Sequence, residues 1–188
     1  MCDKKHNPIR GKARLKNAVL ISLFTAVIAV CSLITIPSPV PFTLQTLGVF
    51  CTLAVLGGKN GTITIVLYTL LGIVGVPVFS GFSAGPGHLL GATGGYIIGF
   101  IFCALVYWLV TKLLGNSPKA TISGLSLGLL TCYITGTLWY AFVYLGEISV
   151  KSLSSAIIVC IVPFIIPDII KLIAAVLISK KLQSINHD

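Results

Sequence analysis

The sequence has 188 residues, 56% of them hydrophobic and only 9% charged, whereas a soluble domain carries about 25% charged residues. That leaves too little polar surface to coat a water-soluble globule, so the composition describes an integral membrane protein, and the length suits one domain of about six short helices. The formal net charge of +9 does not point to nucleic acid: six of the thirteen basic residues, Lys4, Lys5, Arg10, Lys12, Arg14 and Lys16, lie in a tail (1–16) without interleaved aromatics, which reads as a topology signal at anionic lipid headgroups.

The first span is predicted at 17–36, and Pro37-Ser38-Pro39-Val40-Pro41 ends it, because consecutive prolines favour extended chain over helix. A second apolar run, 42–56, stops at the turn cluster Gly57-Gly58-Lys59-Asn60-Gly61, and a third covers 62–76. Residues 77–90, rich in Gly, Ser and Pro, read as a loop. A fourth span follows at 91–114, then the turn Gly115-Asn116-Ser117-Pro118-Lys119, then a fifth span at 120–145.

The last apolar stretch is longer than a span requires, and Pro163 and Pro167 interrupt it. The helix proper is therefore expected at 163–179, with 153–162 as an interfacial or re-entrant lead-in and 180–188 as a second tail. The sum is an all-α membrane protein, a six-helix transmembrane bundle. With the amino terminus inside, eleven basic residues fall on the inner side and only Lys151 on the outer, with Lys171 inside the last run. Both termini are thus expected to be cytoplasmic.

Asp168 and Lys171 are the only acidic and basic side chains that fall together within an apolar run, and their three-residue spacing sets them on one helix face, close enough to pair. Leaving either in lipid costs about 3 kcal/mol, so both should face the bundle interior. An intramembrane ionisable pair is by default a ligand site; a structural ion pair and a proton relay are the alternatives.

Residues 72–99 hold nine of the nineteen glycines. Gly91, Gly95 and Gly99 repeat at four-residue spacing, a smooth face for helix packing. The segment Phe79-Ser80-Gly81-Phe82-Ser83-Ala84-Gly85-Pro86-Gly87-His88 has no such role and reads as a mobile lid, with Phe79 and Phe82 as apolar cover. His88 stands without a carboxylate cluster, so no metal site is expected. Thr43, Gln45 and Thr46 at the start of the second span are suited to cap a helix, line a pocket, or both.

The six cysteines show no C-x-x-C spacing, and five lie in apolar runs as small hydrophobes; Cys2 has no hydrophobic signal before it and makes a weak acylation site. The sequence contains no phosphate loop, G-x-S-x-G or H-E-x-x-H motif, so an enzyme is not expected and any ATP-driven step falls to partners.

Four motifs in order now carry a resemblance: Pro37-x-Pro-Val-Pro-Phe-Thr-Leu-Gln-Thr46, Gly75-Val-Pro-Val-Phe-Ser-Gly81, Leu90-Gly-Ala-Thr-Gly-Gly-Tyr96 and Pro167-Asp-x-x-Lys171. Over nearly its whole length the chain resembles the BioY family, the biotin-specific capture (S) components of energy-coupling-factor (ECF) vitamin transporters. One departure is Ala92, where that family usually has proline; Thr93 and Tyr96 are kept.

The resemblance implies a bundle that binds biotin near the outer face of a bacterial cell membrane. It also implies docking on a transmembrane coupling subunit (EcfT-like) driven by two cytoplasmic ATPases. Ala18, Ser22 and Ala26 form the small-residue stripe that it assigns to that contact, with Ser22 in place of one alanine. Biotin is then the transported ligand, with no cofactor. Asp168 would accept from a ureido N–H and Lys171 donate to the ureido oxygen or the carboxylate. Gln45, Thr43, Ser80, Ser83 and Thr93 would add polar contacts, and Phe79, Phe82 and Tyr96 would enclose the rings. A proton-coupled secondary transporter using Asp168 is the competing function, and a purely structural membrane subunit a third.

Overall fold

In hydrocarbon every backbone N–H and C=O must be satisfied within the chain, so apolar runs of this length form helices. The computed structural model describes residues 8–37, 40–115, 117–144, 146 and 150–185. Residues 1–7 of the basic tail, Ser38 and Pro39 of the proline segment, Asn116, Leu145 at the end of the fifth predicted span and 186–188 lie outside the described residues.

The elements are α1 (Pro8–Leu33), β1 (Thr35–Ile36), β2 (Phe42–Thr43), α2 (Gln45–Val74), a 3₁₀ turn at Ser80–Phe82, α3 (Pro86–Leu89), α4 (Gly94–Leu114), α5 (Pro118–Trp139) running into a π-helical turn at Tyr140–Tyr144, α6 (Val150–Cys160) and α7 (Ile165–Ile185). Among the described residues four helices are long and apolar enough to cross a membrane, or five if the bent pair α6–α7 counts as one. The chain is a multi-pass, all-helical membrane protein. Leu70, Leu109, Ile166 and Ile170 are exposed around its outside, as a lipid-facing surface requires.

Several boundaries differ from expectation for identifiable reasons. Helix α1 starts at Pro8, a residue suited to a first helical turn, so part of the basic tail is helical. It stops at Leu33 because Thr35–Ile36 pair antiparallel with Phe42–Thr43, a short ribbon around the proline segment. The second helix consequently starts at Gln45. The fourth starts at Gly94, and Gly91 lies in the turn before it rather than on a helical packing face. The lead-in to the last span is the helix α6, which meets α7 at a 47° bend.

The run Gln45–Val74 is hydrogen-bonded like one helix but is not straight. Gly57 adopts φ 75° and ψ 176°, a conformation that L-residues avoid, and the chain reverses there. Gln45 Nε2 donates to Tyr68 Oη at 2.8 Å, whereas a straight helix would hold these residues about 35 Å apart. One glycine thus replaces the five-residue turn expected at 57–61. Residues 45–56 and 58–74 form an antiparallel hairpin whose first limb rises only about 18 Å, short of the ~30 Å hydrocarbon thickness.

Helices α4 and α5 share the largest interface, and α2 packs against α1, α4 and α7. Close approach depends on small residues. A Cβ on Gly95 would lie 2.2 Å from the Trp139 Cβ, and one on Gly99 2.6 Å from Thr135 Oγ1, so two of the three glycines singled out in the sequence do pack α4 on α5. Gly72 likewise leaves room for Phe79, whose ring is fully buried.

A Cβ at Gly72 would sit 2.0 Å from Phe79 Cζ. Gly72→Ala is therefore predicted to destabilise the fold by about 1–3 kcal/mol, lowering the melting temperature in detergent; an unchanged melt would show that Phe79 is not held there.

Candidate functional site

The site is assembled around the starts of α2 and α7. Asp168 lies in the first turn of α7, where the helix dipole favours a carboxylate, and Lys171 follows one turn later. Their side chains pair at 2.8 Å between Lys171 Nζ and Asp168 Oδ1, and the residues are 2% and 6% exposed. The carboxylate also accepts from Thr46 Oγ1 at 3.0 Å and, on Oδ2, from Tyr133 Oη at 2.8 Å. Lys171 donates further to the Thr43 carbonyl and to Thr46 Oγ1, each at 2.8 Å, and its ammonium lies 4.3 Å from the centre of the Phe42 ring. All three ammonium protons are thus engaged. An ion pair out of water persists only when its remaining donors and acceptors are matched in this way.

Beside the pair opens a cavity whose lining mixes apolar and aromatic side chains with a few polar ones, the composition of small-molecule sites. Of the residues anticipated from sequence, Asp168, Lys171, Gln45, Thr43, Ser80, Thr93 and Tyr96 line it, together with Thr46. Tyr96 turns its hydroxyl towards the Cys160 carbonyl (3.3 Å) and Thr137 (3.5 Å). Gln45 is anchored on Tyr68, whose hydroxyl donates to the Val78 carbonyl at 2.9 Å; Ser32 Oγ donates to the same carbonyl. This chain of contacts ties α1, both limbs of α2 and the segment after α2 together.

Phe79, Phe82 and Ser83 do not line the cavity. Phe79 is core: it meets Tyr68 edge-on at 5.7 Å and stacks on His88 at 5.3 Å. Phe82 is 69% exposed at positive φ, pointing outward. Ser83 donates to the Ser80 carbonyl at 2.6 Å and approaches His88 Nε2 at 3.4 Å. The aromatic walls are instead Tyr96, Phe100, Tyr133 and Phe164, the last stacked on Phe42 at 5.9 Å.

Tyr133 and His88 were missed. In an apolar span Tyr133 looks like any core aromatic, and only the fold brings it to Asp168. His88, set aside as a metal ligand, lines the cavity with Nε2 3.2 Å from Thr93 Oγ1. It sits between the candidate spans, and burial pushes its imidazole below the ordinary histidine value. Ala18, Ser22 and Ala26 all lie exposed on α1, about a quarter turn around the helix from the buried stripe of Thr25, Ile28 and Ser32.

Solved substrate-binding (S) components of transporters share this helical membrane fold. A crystal structure at 2.1 Å of the S component for biotin from an ECF-type ABC transporter matches with TM-score 0.80 and 28% identity, covering 92% of this chain and 93% of that one. A second S component of a bacterial ECF transporter matches in fold, with TM-score 0.62 and 17% identity, over 93% and 99% of the two chains.

The chain belongs to the BioY family, whose model matches residues 4–188. Curated relatives include the probable biotin transporter BioY of Pyrococcus horikoshii, 39% identical over 171 residues (90% of this chain, 98% of that one). The biotin transporter BioY of Thermotoga maritima is 39% identical over 172 residues (91% and 98%).

Replacing Lys171 by Met strands the buried Asp168 carboxylate. The single variant is predicted to lose about 3–5 kcal/mol of stability, and a double variant with Asp168→Leu to recover part of it. Unfolding in detergent measures both, and a Lys171→Met protein as stable as the parent would remove the pair from any structural role.

Proposed function

We propose that this chain captures biotin as the substrate-binding S component of an ECF-type uptake transporter. The observation that carries the reading is the buried Asp168–Lys171 pair, with its Thr46 and Tyr133 partners, at an apolar-walled cavity. The match to the biotin S component and the biotin-transporter names of its relatives support it. The protein is a transport component and not an enzyme.

Biotin offers two ureido N–H donors, one carbonyl acceptor, an apolar thiophane ring and a carboxylate tail. An ionised carboxylate has about four lone-pair sites, and Asp168 commits three, to Lys171, Thr46 and Tyr133. The fourth accepts a ureido N–H. Because Lys171 has no idle proton, it reaches the ureido oxygen by exchanging one resident bond, the Thr43 carbonyl being a neutral and replaceable partner. Gln45, Ser80 and Thr93 supply further polar contacts, and Tyr96 with Phe100 and Phe164 the walls.

In the membrane the chain is assigned six spans, counting the limbs of α2 separately and α6–α7 as one. Its core domain is 17–179, flanked by the tails 1–16 and 180–188, and both termini are cytoplasmic, the side that receives eleven basic residues. The cavity then lies in the outer half of a bacterial cell membrane. The exposed stripe of Ala18, Ser22 and Ala26 is where a transmembrane coupling subunit docks, itself driven by two cytoplasmic ATPases.

Asp168→Asn is predicted to weaken biotin binding by several kcal/mol; titration calorimetry on purified protein with unchanged affinity would overturn the assignment. Biotin should also copurify with the parent chain, detectable by mass spectrometry. Proteoliposomes holding the chain alone should not accumulate biotin until the coupling subunit and ATPases are added. Accumulation by the chain alone under a pH gradient would favour the proton-coupled carrier.

A further inference from the structure

The cavity is polar in two separate places. One is the Asp168–Lys171 cluster. The other is made by His88, Thr93 and Ser80, with Ser83 behind His88, and among the described residues no hydrogen bond joins the two. The clusters differ in make-up: the first holds a paired carboxylate and ammonium, the second hydroxyls and an imidazole with no carboxylate. Asp168 is the single acidic residue lining the cavity, and Lys171 and His88 are its two basic ones; the remaining acidic residues of the chain, Asp3, Glu147 and Asp188, lie outside the described residues.

Biotin is equally two-ended, with a neutral ureido ring and an anionic carboxylate. Bringing the carboxylate to the first cluster would set it beside Asp168, a like-charge contact in a low-dielectric site, with the neighbouring cation already paired. The ureido donors have no such conflict there. The tail then belongs at the second cluster, where hydroxyls and an imidazole offer protons and no carboxylate opposes them.

Resting on the capture reading above, we propose that His88 is the specificity-determining contact for the ligand's carboxylate. Its ring is held for this: it stacks on Phe79 at 5.3 Å with planes 17° apart, and Phe79 is itself fixed against Tyr68. The hydroxyls of Thr93 and Ser83 both address Nε2, and Nδ1 has no hydrogen-bond partner among the described residues, so one ring nitrogen remains to meet a ligand oxygen. The groups facing His88 are Phe79, Ser83 and Thr93, none of them charged near neutral pH; the titratable groups elsewhere in the cavity are Tyr96, Cys132, Tyr133, Cys160, Asp168 and Lys171.

The pH consequence has a definite sign. In the free chain burial lowers the His88 value, keeping the ring neutral near pH 7. An arriving carboxylate favours the imidazolium and raises that value. The bound state therefore takes up a proton, and affinity for biotin rises as pH falls from 7.5 towards 5.5, where an alkyl carboxylate with a pKa of about 4–5 is still ionised.

The test is titration calorimetry of the full chain in detergent with biotin and with biotinamide, which keeps the ureido ring but lacks the charge, for the parent and His88→Gln. The parent should bind biotin at least about fivefold tighter at pH 5.5 than at 7.5 and biotinamide equally at both. His88→Gln should lose about tenfold in biotin affinity and its pH dependence and lose clearly less in biotinamide affinity, while an unchanged melting temperature in detergent reports an intact fold. A parent that binds the two ligands alike at both pH values overturns the proposal whatever the variant does. So does a variant that weakens both ligands equally or neither. A parent that binds neither ligand overturns the capture reading, and this inference with it.

Discussion

A carboxylate and an ammonium held almost out of contact with solvent within an apolar bundle define the constraint that the rest of this structure meets. Each ion alone would cost several kcal/mol to bury, and even the pair remains unfavourable unless its leftover donors and acceptors are filled. The partners come from four parts of the chain: Thr43 from β2, Thr46 from α2, Tyr133 from α5, and Asp168 and Lys171 from α7. Satisfying the pair therefore fixes how these elements sit together, and it leaves a charged, hydrogen-bonding wall on an otherwise apolar cavity.

Two backbone interruptions make that convergence possible. The reversal at Gly57 brings the start of α2 back beside Tyr68, and so positions Gln45, Thr46 and the adjoining ribbon deep in the bundle. The bend between α6 and α7 starts a fresh helix just before Asp168, putting the carboxylate where the helix dipole suits it. Between helices there is little hydrophobic driving force in lipid, so contact relies on close packing. Gly95 and Gly99 let α4 meet α5, which sets Tyr96 on one helix and Tyr133 on the other beside the same cavity.

The segment between α2 and α4 is better described as a packed support than as a loose cover. Phe79 is buried and carries His88 on its face, while Phe82 is exposed. A stretch rich in glycine and serine is thus anchored by one aromatic ring that fits the notch at Gly72. The result is a cavity with an ion-pair cluster and a hydroxyl-imidazole cluster in its lining.

Composition alone determined that this chain is a helical membrane protein, because too few polar residues exist to coat anything else. Proline and glycine positions marked most of the interruptions, and an acidic and a basic residue falling together in an apolar run marked the pair, since local sequence suffices to show a charge with no water to meet it. Four motifs in order were enough to suggest the family. What the tertiary structure decided was every contact made across a large sequence separation. Gly57 turning the chain alone rather than within a five-residue loop, Tyr133 completing the shell of Asp168, His88 entering the cavity and Phe79 leaving its wall all depend on where helices cross. An aromatic in an apolar run carries the same sequence signal whether it faces lipid, core or ligand; only the packing of its neighbours separates the three.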